Sequence, residues 1–138
     1  MSDLPTALTA EHAAIFGYGI AGAHLTGAAQ DAARAAEAAH RARRDALLLL
    51  LAGTPTSAPP AAPVYALPFP VTDGPSAMRL AIHLEERTAA VWQRTLGTTT
   101  GDQRRMSLDA LTDCAVRATR WRKAAGVNPA TVPLPGTT

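Results

Sequence analysis

The fold is decided by the proline-rich stretch GTPTSAPPAAPVYALPFPVTDG, residues 53–74, which separates two long blocks without proline. Between Pro5 and Pro55 there is no proline, and none occurs from residue 76 to residue 128. Because proline costs about 3 kcal/mol inside a helix, the two proline-free blocks are predicted to be helical. They also hold 26 of the 31 alanines, the residue with the highest helix propensity, which agrees with this prediction.

Each proline-free block is too long for one globular helix and is predicted to be a hairpin of two. Thr26-Gly27 is the expected break in the first block, and the loop Gly97-Thr-Thr-Thr-Gly101 is the expected break in the second. Pro75 suits the first turn of a helix. The sequence therefore predicts four helices, over residues 5–26, 29–52, 75–96 and 103–125.

The stretch between the hairpins is long enough to run the whole length of a helical bundle. Its 22 residues could span roughly 68 Å at about 3.1 Å per residue. Two hairpins joined by one long crossover have ferritin-like connectivity, so we predict an all-α, ferritin-like four-helix bundle over residues 1–128, with 53–74 as crossover and 129–138 as an extended tail. A disordered linker is the alternative, but the apolar residues from Val64 to Val71 favour a crossover that is partly docked on the bundle.

Composition limits the classes of function that need to be considered. The 138 residues make one domain, the net charge of +2 is too small to demand a polyanionic partner, and nucleic-acid binding is not expected. A single cysteine, Cys114, excludes an intrachain disulfide and cysteine-based metal clusters. No apolar run reaches a membrane span and the N-terminus resembles no signal peptide, so we expect a cytoplasmic protein.

Two predicted helices place a single carboxylate in an otherwise apolar stripe. Glu11 interrupts the stripe of the first helix, which also carries Tyr18 two turns further on, and Glu85 interrupts that of the third. In the second helix, Glu37 and His40 form a Glu-x-x-His pair on one face. A buried carboxylate is costly unless it is paired or bound to a metal, so these groups need a shared counter-charge.

Two kinds of counter-charge fit these residues. A metal pair, iron or manganese, would use Glu11, Glu37, His40 and Glu85, but the fourth helix contains neither Glu nor His and leaves such a site incomplete. The preferred interpretation is a buried ion network in which the guanidinium groups of Arg44 and Arg117 replace the metal and bond to Glu11 and Glu85, with Tyr18 as a hydrogen-bonding neighbour. No catalytic residue and no cofactor follow from this interpretation.

A third interpretation of the second helix needs no core site at all. In it, Glu37 forms a surface pair with Arg41, four residues later on the same helix. For the second helix, this surface pair is as consistent with the sequence as either core interpretation.

Several segments together resemble a small actinobacterial family of ferritin-like domains of unknown function. They are Ala10-Glu-His-Ala-Ala-Ile-Phe-Gly-Tyr-Gly19, His40-Arg-x-Arg-Arg-Asp45, Tyr65-Ala-Leu-Pro-x-Pro-Val71, Leu84-Glu85 and Arg117-x-x-x-Trp-Arg122. The resemblance covers about residues 10 to 125 and implies a ferritin-like four-helix bundle, without implying an activity. Against di-iron members of that superfamily, the chain matches at Glu11, Glu37, His40 and Glu85 and departs in the fourth helix.

Three functions of different classes are consistent with these features. The first is a non-catalytic interaction or small-ligand-binding module built around the ion network, and the second is a metal-binding protein. The third is a basic partner-binding surface on the second and fourth helices, which carry Arg41, Arg43 and Arg44, and Arg117, Arg120, Arg122 and Lys123. Small residues in the first helix also favour a homodimer; a protein or small-molecule partner is not specified.

Overall fold

The computed structural model describes residues 3–131, and within this range the chain forms four α-helices and no strand. They are α1 (Leu4–Ala23), α2 (Gly27–Ala52), α3 (Gly74–Leu96) and α4 (Gly101–Ala125). This confirms the prediction of an all-α chain of four helices. Of the predicted tail, 129–138, the part after Thr131 lies outside the described residues. No helix in the described range has the length and apolar character needed to cross a membrane.

The helix ends explain the small differences from the predicted bounds. The first hairpin turns earlier than predicted because the N–H groups of His24 and Leu25 bond back to carbonyls of α1, and Gly27 then adopts a positive φ of 58° to begin α2. The side chain of Asp73 accepts a hydrogen bond from the backbone N–H of Ser76 at 2.9 Å and caps α3.

The helices pack so that α1 contacts α2 and α3, and α3 contacts α4, whereas α2 and α4 barely touch. One apolar cluster joins the C-terminal half of α1 to Ala33, Leu80 and Trp121, and a second joins Leu4 and Leu8 to the C-terminal ends of α2 and α3. Helices α2 and α3 therefore run in the same direction, and α1 and α4 run opposite to them.

The crossover lies along α1 and α3, so it is docked and not a free linker. Its Tyr65 ring lies 5.6 Å from the ring of Phe16, and its Phe69 ring lies 6.5 Å from that of His83. The Nε2 of His12 also lies 3.2 Å from the carbonyl oxygen of Pro59. These contacts hold the crossover where it joins the end of α2 to the distant start of α3.

Gly17 allows α1 and α3 to approach closely at the middle of the bundle. A Cβ atom at this position would lie 2.6 Å from Cδ1 of Leu84, well inside van der Waals contact. Gly22, five residues further along α1, faces Ala33 of α2. Two of the small residues of α1, Gly17 and Gly22, thus face helices of the same chain.

Candidate functional site

A layer of ionisable side chains lies between the two apolar clusters at the centre of the bundle. Glu11 from α1, His40 from α2 and Glu85 from α3 are each 0% exposed to solvent. The stripe positions of α1 and α3 dictate this burial, because the neighbouring turns of both helices carry apolar residues. Three ionisable groups without solvent must satisfy one another.

His40 bridges the two buried carboxylates. Its Nδ1 lies 2.5 Å from Oε2 of Glu11, and its Nε2 lies 2.9 Å from Oε2 of Glu85. A neutral imidazole can donate from only one nitrogen, so donation to two ionised carboxylates takes the doubly protonated ring. Although burial lowers the pKa of His40, the hydrogen bonds and charges of Glu11 and Glu85 outweigh it and raise that pKa to about 9.

Glu11 has two further donors on its other oxygen. The indole Nε1 of Trp92 donates to Oε1 at 2.8 Å, and Nη1 of Arg43 lies 3.3 Å from the same atom. Burial raises the pKa of the Glu11 carboxyl, but the bonds and charges of His40 and Arg43, with the Trp92 bond, outweigh burial and hold the pKa below its ordinary value. Glu11 is therefore a buried carboxylate held in its charged form.

Glu85 also has further hydrogen-bonding partners, on the opposite side of His40. The hydroxyl of Tyr18 donates to Oε2 of Glu85 and accepts a hydrogen bond from Nε1 of Trp121 at 2.9 Å. Nη1 of Arg117 lies 3.4 Å from Oε1 of Glu85. Burial and the neighbouring charge of Glu85 raise the pKa of Tyr18 well above its ordinary value, so the phenol keeps its proton and remains a donor.

Asp113 of α4 closes the network at its outer edge, between α2 and α4. Its Oδ2 lies 2.7 Å from Nη2 of Arg43 and 2.9 Å from Nη1 of Arg117, and its Oδ1 accepts from Nη2 of Arg117 at 3.0 Å. The cluster thus contains three acids (Glu11, Glu85, Asp113) and three cations (protonated His40, Arg43, Arg117). Within residues 3–131, no buried side-chain nitrogen or oxygen lacks a hydrogen-bond partner.

The structure brings together five of the residues singled out from the sequence and leaves two outside. Glu11, Tyr18, His40, Glu85 and Arg117 meet in the central layer.

Arg44 and Glu37 are corrections to the predicted placement. Arg44 lies at the surface against Asp45 at 3.0 Å, and Glu37 pairs with Arg41 at 3.3 Å, as in the surface alternative. The buried stripe of α2 contains Ala33, Ala36, His40 and Leu47, with Arg43 continuing it and not Arg44. The five leucines at 47–51 support several registers, which is why the sequence did not distinguish them.

Arg43, Asp113 and Trp92 belong to the network, although the sequence did not assign them to it. Trp92 lies on the same stripe of α3 as Glu85, two turns away, so its indole N–H was a candidate donor to a buried carboxylate. Asp113 lies four residues before Arg117, a spacing that places an acid beside that guanidinium on one helix face.

The basic clusters of α2 and α4 are partly neutralised within the chain. Arg43 and Arg117 are turned toward the network, and Arg122 bonds to Glu86 of α3. A basic partner-binding surface on these helices would therefore rest on fewer free cations than the sequence suggests.

The donor set does not fit the metal pair of a ferritin-like protein. Glu37 does not reach the centre, the only acid that α4 contributes is engaged by two guanidinium groups, and both nitrogens of His40 already face carboxylates. A smaller set is closer together: the ligand atoms of His40, Glu85 and Cys114 lie within 4.8 Å of one another. Burial, with the charges of Glu85 and Glu11, raises the pKa of the Cys114 thiol well above its ordinary value, so Cys114 is a neutral thiol in the metal-free protein.

Comparison with known proteins gives a family and a structural relative. A family model described as "Domain of unknown function (DUF4439)" matches residues 3–138. The crystal structure of a conserved hypothetical protein, rv2844, from Mycobacterium tuberculosis is similar, with a TM-score of 0.85 and 38% identity over 88% of this chain and 92% of that one. No curated protein matches the chain.

Proposed function

Because this chain belongs to the DUF4439 family, a domain of unknown function, we propose its role from the site itself: a non-catalytic, ferritin-like binding module. In this proposal, an ion network of His40, Glu11, Glu85, Arg43, Arg117 and Asp113 takes the place of the metal pair. The network holds the bundle in one arrangement, and ligands or partners bind elsewhere on it.

The connectivity of the helices supports the ferritin-like part of the proposal. Helices α2 and α3 run in the same direction and are joined by a crossover that follows the bundle from one end to the other. Ferritin-like folds are distinguished by such a long connection, whereas up-down-up-down bundles use short loops throughout. One side chain from each of α1, α2 and α3 also meets at the centre, which is where that fold builds its sites.

The single observation that carries the proposal is that the network is complete in charge and in hydrogen bonds. Three acids face three cations, and the buried side-chain oxygens and nitrogens of the described residues all have partners. A substrate or metal at this centre would have to displace bonds that are already formed to a fully buried carboxylate pair. Such a network is suited to fixing a structure and not to turning over a substrate.

Metal analysis of the purified full chain tests the proposal. Protein expressed with added iron, manganese and zinc is expected to carry far less than one metal ion per chain, and a chelator is expected to leave its melting temperature unchanged. Glu85→Gln, which removes one charge of the network, should lower the melting temperature equally with and without chelator. Near-stoichiometric metal, together with a chelator-sensitive melting temperature, would overturn the proposal.

Binding of a single divalent metal ion is the second candidate function, and the closeness of His40, Glu85 and Cys114 favours it. Thiolate, imidazole and carboxylate are all ligands of zinc. In this case, Co²⁺ added to the protein should give a thiolate-to-cobalt absorption band that Cys114→Ser removes. If the ion network occupies the centre and no metal binds there, this absorption band is not expected.

A further inference from the structure

A cavity lies beneath the crossover, on the opposite side of α1 from α2, and has no part in the central network. Its volume is about 390 Å³, which is within the range of small-molecule pockets. Phe16 of α1, Leu84 of α3, and Tyr65 and Leu67 of the crossover form its walls. The cavity is therefore lined by two helices and a docked segment of chain and is partly open to solvent.

The walls are apolar and come from three separate parts of the sequence. The rings of Phe16 and Tyr65 lie 5.6 Å apart and tilted by 54°, so they meet as a corner and not as a closed stack. Leu84 is buried, and Leu67 is half-buried against the core. An apolar body entering this corner would be covered by aromatic and leucine side chains.

The rim of the cavity is cationic. His83 and Arg87, one turn apart on α3, both line it. Arg87 is exposed and forms no ion pair with any of the described residues, while the nearby Glu86 is bonded to Arg122. Burial and the charge of Arg87 lower the pKa of His83, so at neutral pH the imidazole is a neutral group that can donate a hydrogen bond beside a free guanidinium.

We propose that this cavity binds a small carboxylate with an apolar body, the body lying between Phe16, Tyr65 and Leu84 and the carboxylate facing Arg87 and His83. A guanidinium matches a carboxylate in charge and in geometry, and an imidazole N–H supplies a further donor. The apolar part would bury surface that is now partly open to water. The inference deepens the proposed function, on which it rests, by naming the class of ligand and the place where it binds.

Titration of the full chain with two carboxylates of different shape tests the inference. Octanoate probes a straight aliphatic body and phenylacetate probes an aromatic one, and 1-octanol and 2-phenylethanol are their uncharged counterparts. We expect at least one carboxylate to shift the backbone amide NMR signals of α1, α3 and the crossover around the cavity. The carboxylate that binds more tightly shows whether the cavity prefers a straight aliphatic or an aromatic ligand.

Two variants and a matched control separate this site from general binding. Arg87→Gln should weaken carboxylate binding about tenfold and leave binding of the uncharged alcohol unchanged, because only the charged contact is removed. Ala13→Phe, which places a ring in the cavity, should weaken binding of both. Arg34→Gln changes an exposed arginine on α2 and should change neither.

Three results would overturn the inference. They are an absence of shifts with both acids, shifts confined to residues away from the cavity, and an equal loss of affinity in Arg87→Gln and Arg34→Gln. None of them depends on the metal content of the protein, so failure here is distinguishable from failure of the proposed function.

Discussion

At the scale of single residues, the central layer depends on how the ring of His40 divides its two N–H groups between Glu11 and Glu85. Each carboxylate receives one of them, at 2.5 and 2.9 Å, and fills its remaining acceptor positions with indole, phenol or guanidinium donors. Loss of the ring proton would leave a nitrogen lone pair facing a carboxylate. The stability of the bundle should therefore respond to the titration of one residue.

The free energy of unfolding is expected to fall as the pH rises from about 6.5 to about 9. The pKa of His40 is about 9 in the folded chain and 6.5 as the ordinary value, so the folded state binds the proton more tightly. The stabilisation is complete below pH 6.5 and is lost as the pH passes through the folded pKa, by up to about 3 kcal/mol.

Urea unfolding at a series of pH values measures this change. His40→Gln is expected to be less stable than the wild type and to show a flatter dependence on pH over the same window. A wild-type stability that stays constant or increases between pH 6.5 and 9 would contradict the charged state assigned to the ring.

Arg43 and Arg44 offer a matched pair of neighbouring substitutions. Arg43→Met removes one of the two cations that Glu11 and Asp113 each face and should cost about 2–3 kcal/mol, whereas Arg44→Met removes only a surface contact with Asp45 and should cost less than about 0.5 kcal/mol. Chemical denaturation of the two variants measures the difference. Equal losses of stability in the two variants would show that the side chain of Arg43 does not point into the network.

Some of the network could be predicted from the sequence, and some could not. Glu11 and Glu85 were recognisable because each is a single acid in an apolar stripe. The choice between Arg43 and Arg44 was not recognisable, because the leucines at 47–51 fit more than one helical register and alanine dominates the rest of α2. The register is selected by packing of α2 against α1 and by the ion pair of Arg43 with Asp113 of α4.

At the scale of helices, the distance between α1 and α3 is set by Gly17. Gly17→Ala would place a Cβ 2.6 Å from Leu84, so we expect a loss of about 1–3 kcal/mol from overpacking. Gly19→Ala is the control on the same helix, since its nearest neighbour would be Glu37 Oε1 at 3.8 Å. There the higher helix propensity of alanine should stabilise the protein by up to about 1 kcal/mol.

Thermal unfolding of both glycine variants, and of Gly17→Ala combined with Leu84→Ala, measures this effect. The double variant should lose less stability than the two single variants lose together, because the shortened side chain at position 84 makes room for the methyl group at position 17. Additive losses would mean that the close approach of α1 and α3 does not depend on Gly17.

Proline placement made the helices and the crossover predictable, because proline marks helix boundaries directly. The path of the crossover was not predictable in the same way. His12 reaches the carbonyl of Pro59, and Arg79 lies over the ring of Phe69 with 5.8 Å to its centroid. The first contact joins residues 47 positions apart in sequence, and nothing local in either segment specifies its partner.

At the scale of the whole molecule, the network is shared between the two hairpins. The first hairpin contributes Glu11, His40 and Arg43, and the second contributes Glu85, Asp113 and Arg117. One half thus brings one acid and two cations, and the other brings two acids and one cation. Neither half can neutralise its buried charges alone.

A chain divided in the exposed part of the crossover, into fragments 1–57 and 58–138, is expected to reassemble when the fragments are co-expressed. Glu85→Gln should weaken the association at least about tenfold, because it leaves His40 and Arg117 without that charge. Glu86→Gln is the control, since Glu86 pairs with Arg122 inside the second hairpin. Co-purification measures the association, and equal weakening by both changes would contradict the role of the shared network.

The division of the network between the halves also restricts how they can slide past each other. Alanine side chains are alike along a helix and by themselves would do little to stop one hairpin from shifting by a helical turn, whereas the close approach of Gly17 to Leu84 fixes the alignment at one point. Such a shift would carry His40 away from Glu85 and leave both charges unpaired in the interior, at a cost of several kcal/mol. The central charges thus act together with the Gly17–Leu84 contact to select a single axial alignment of the two hairpins.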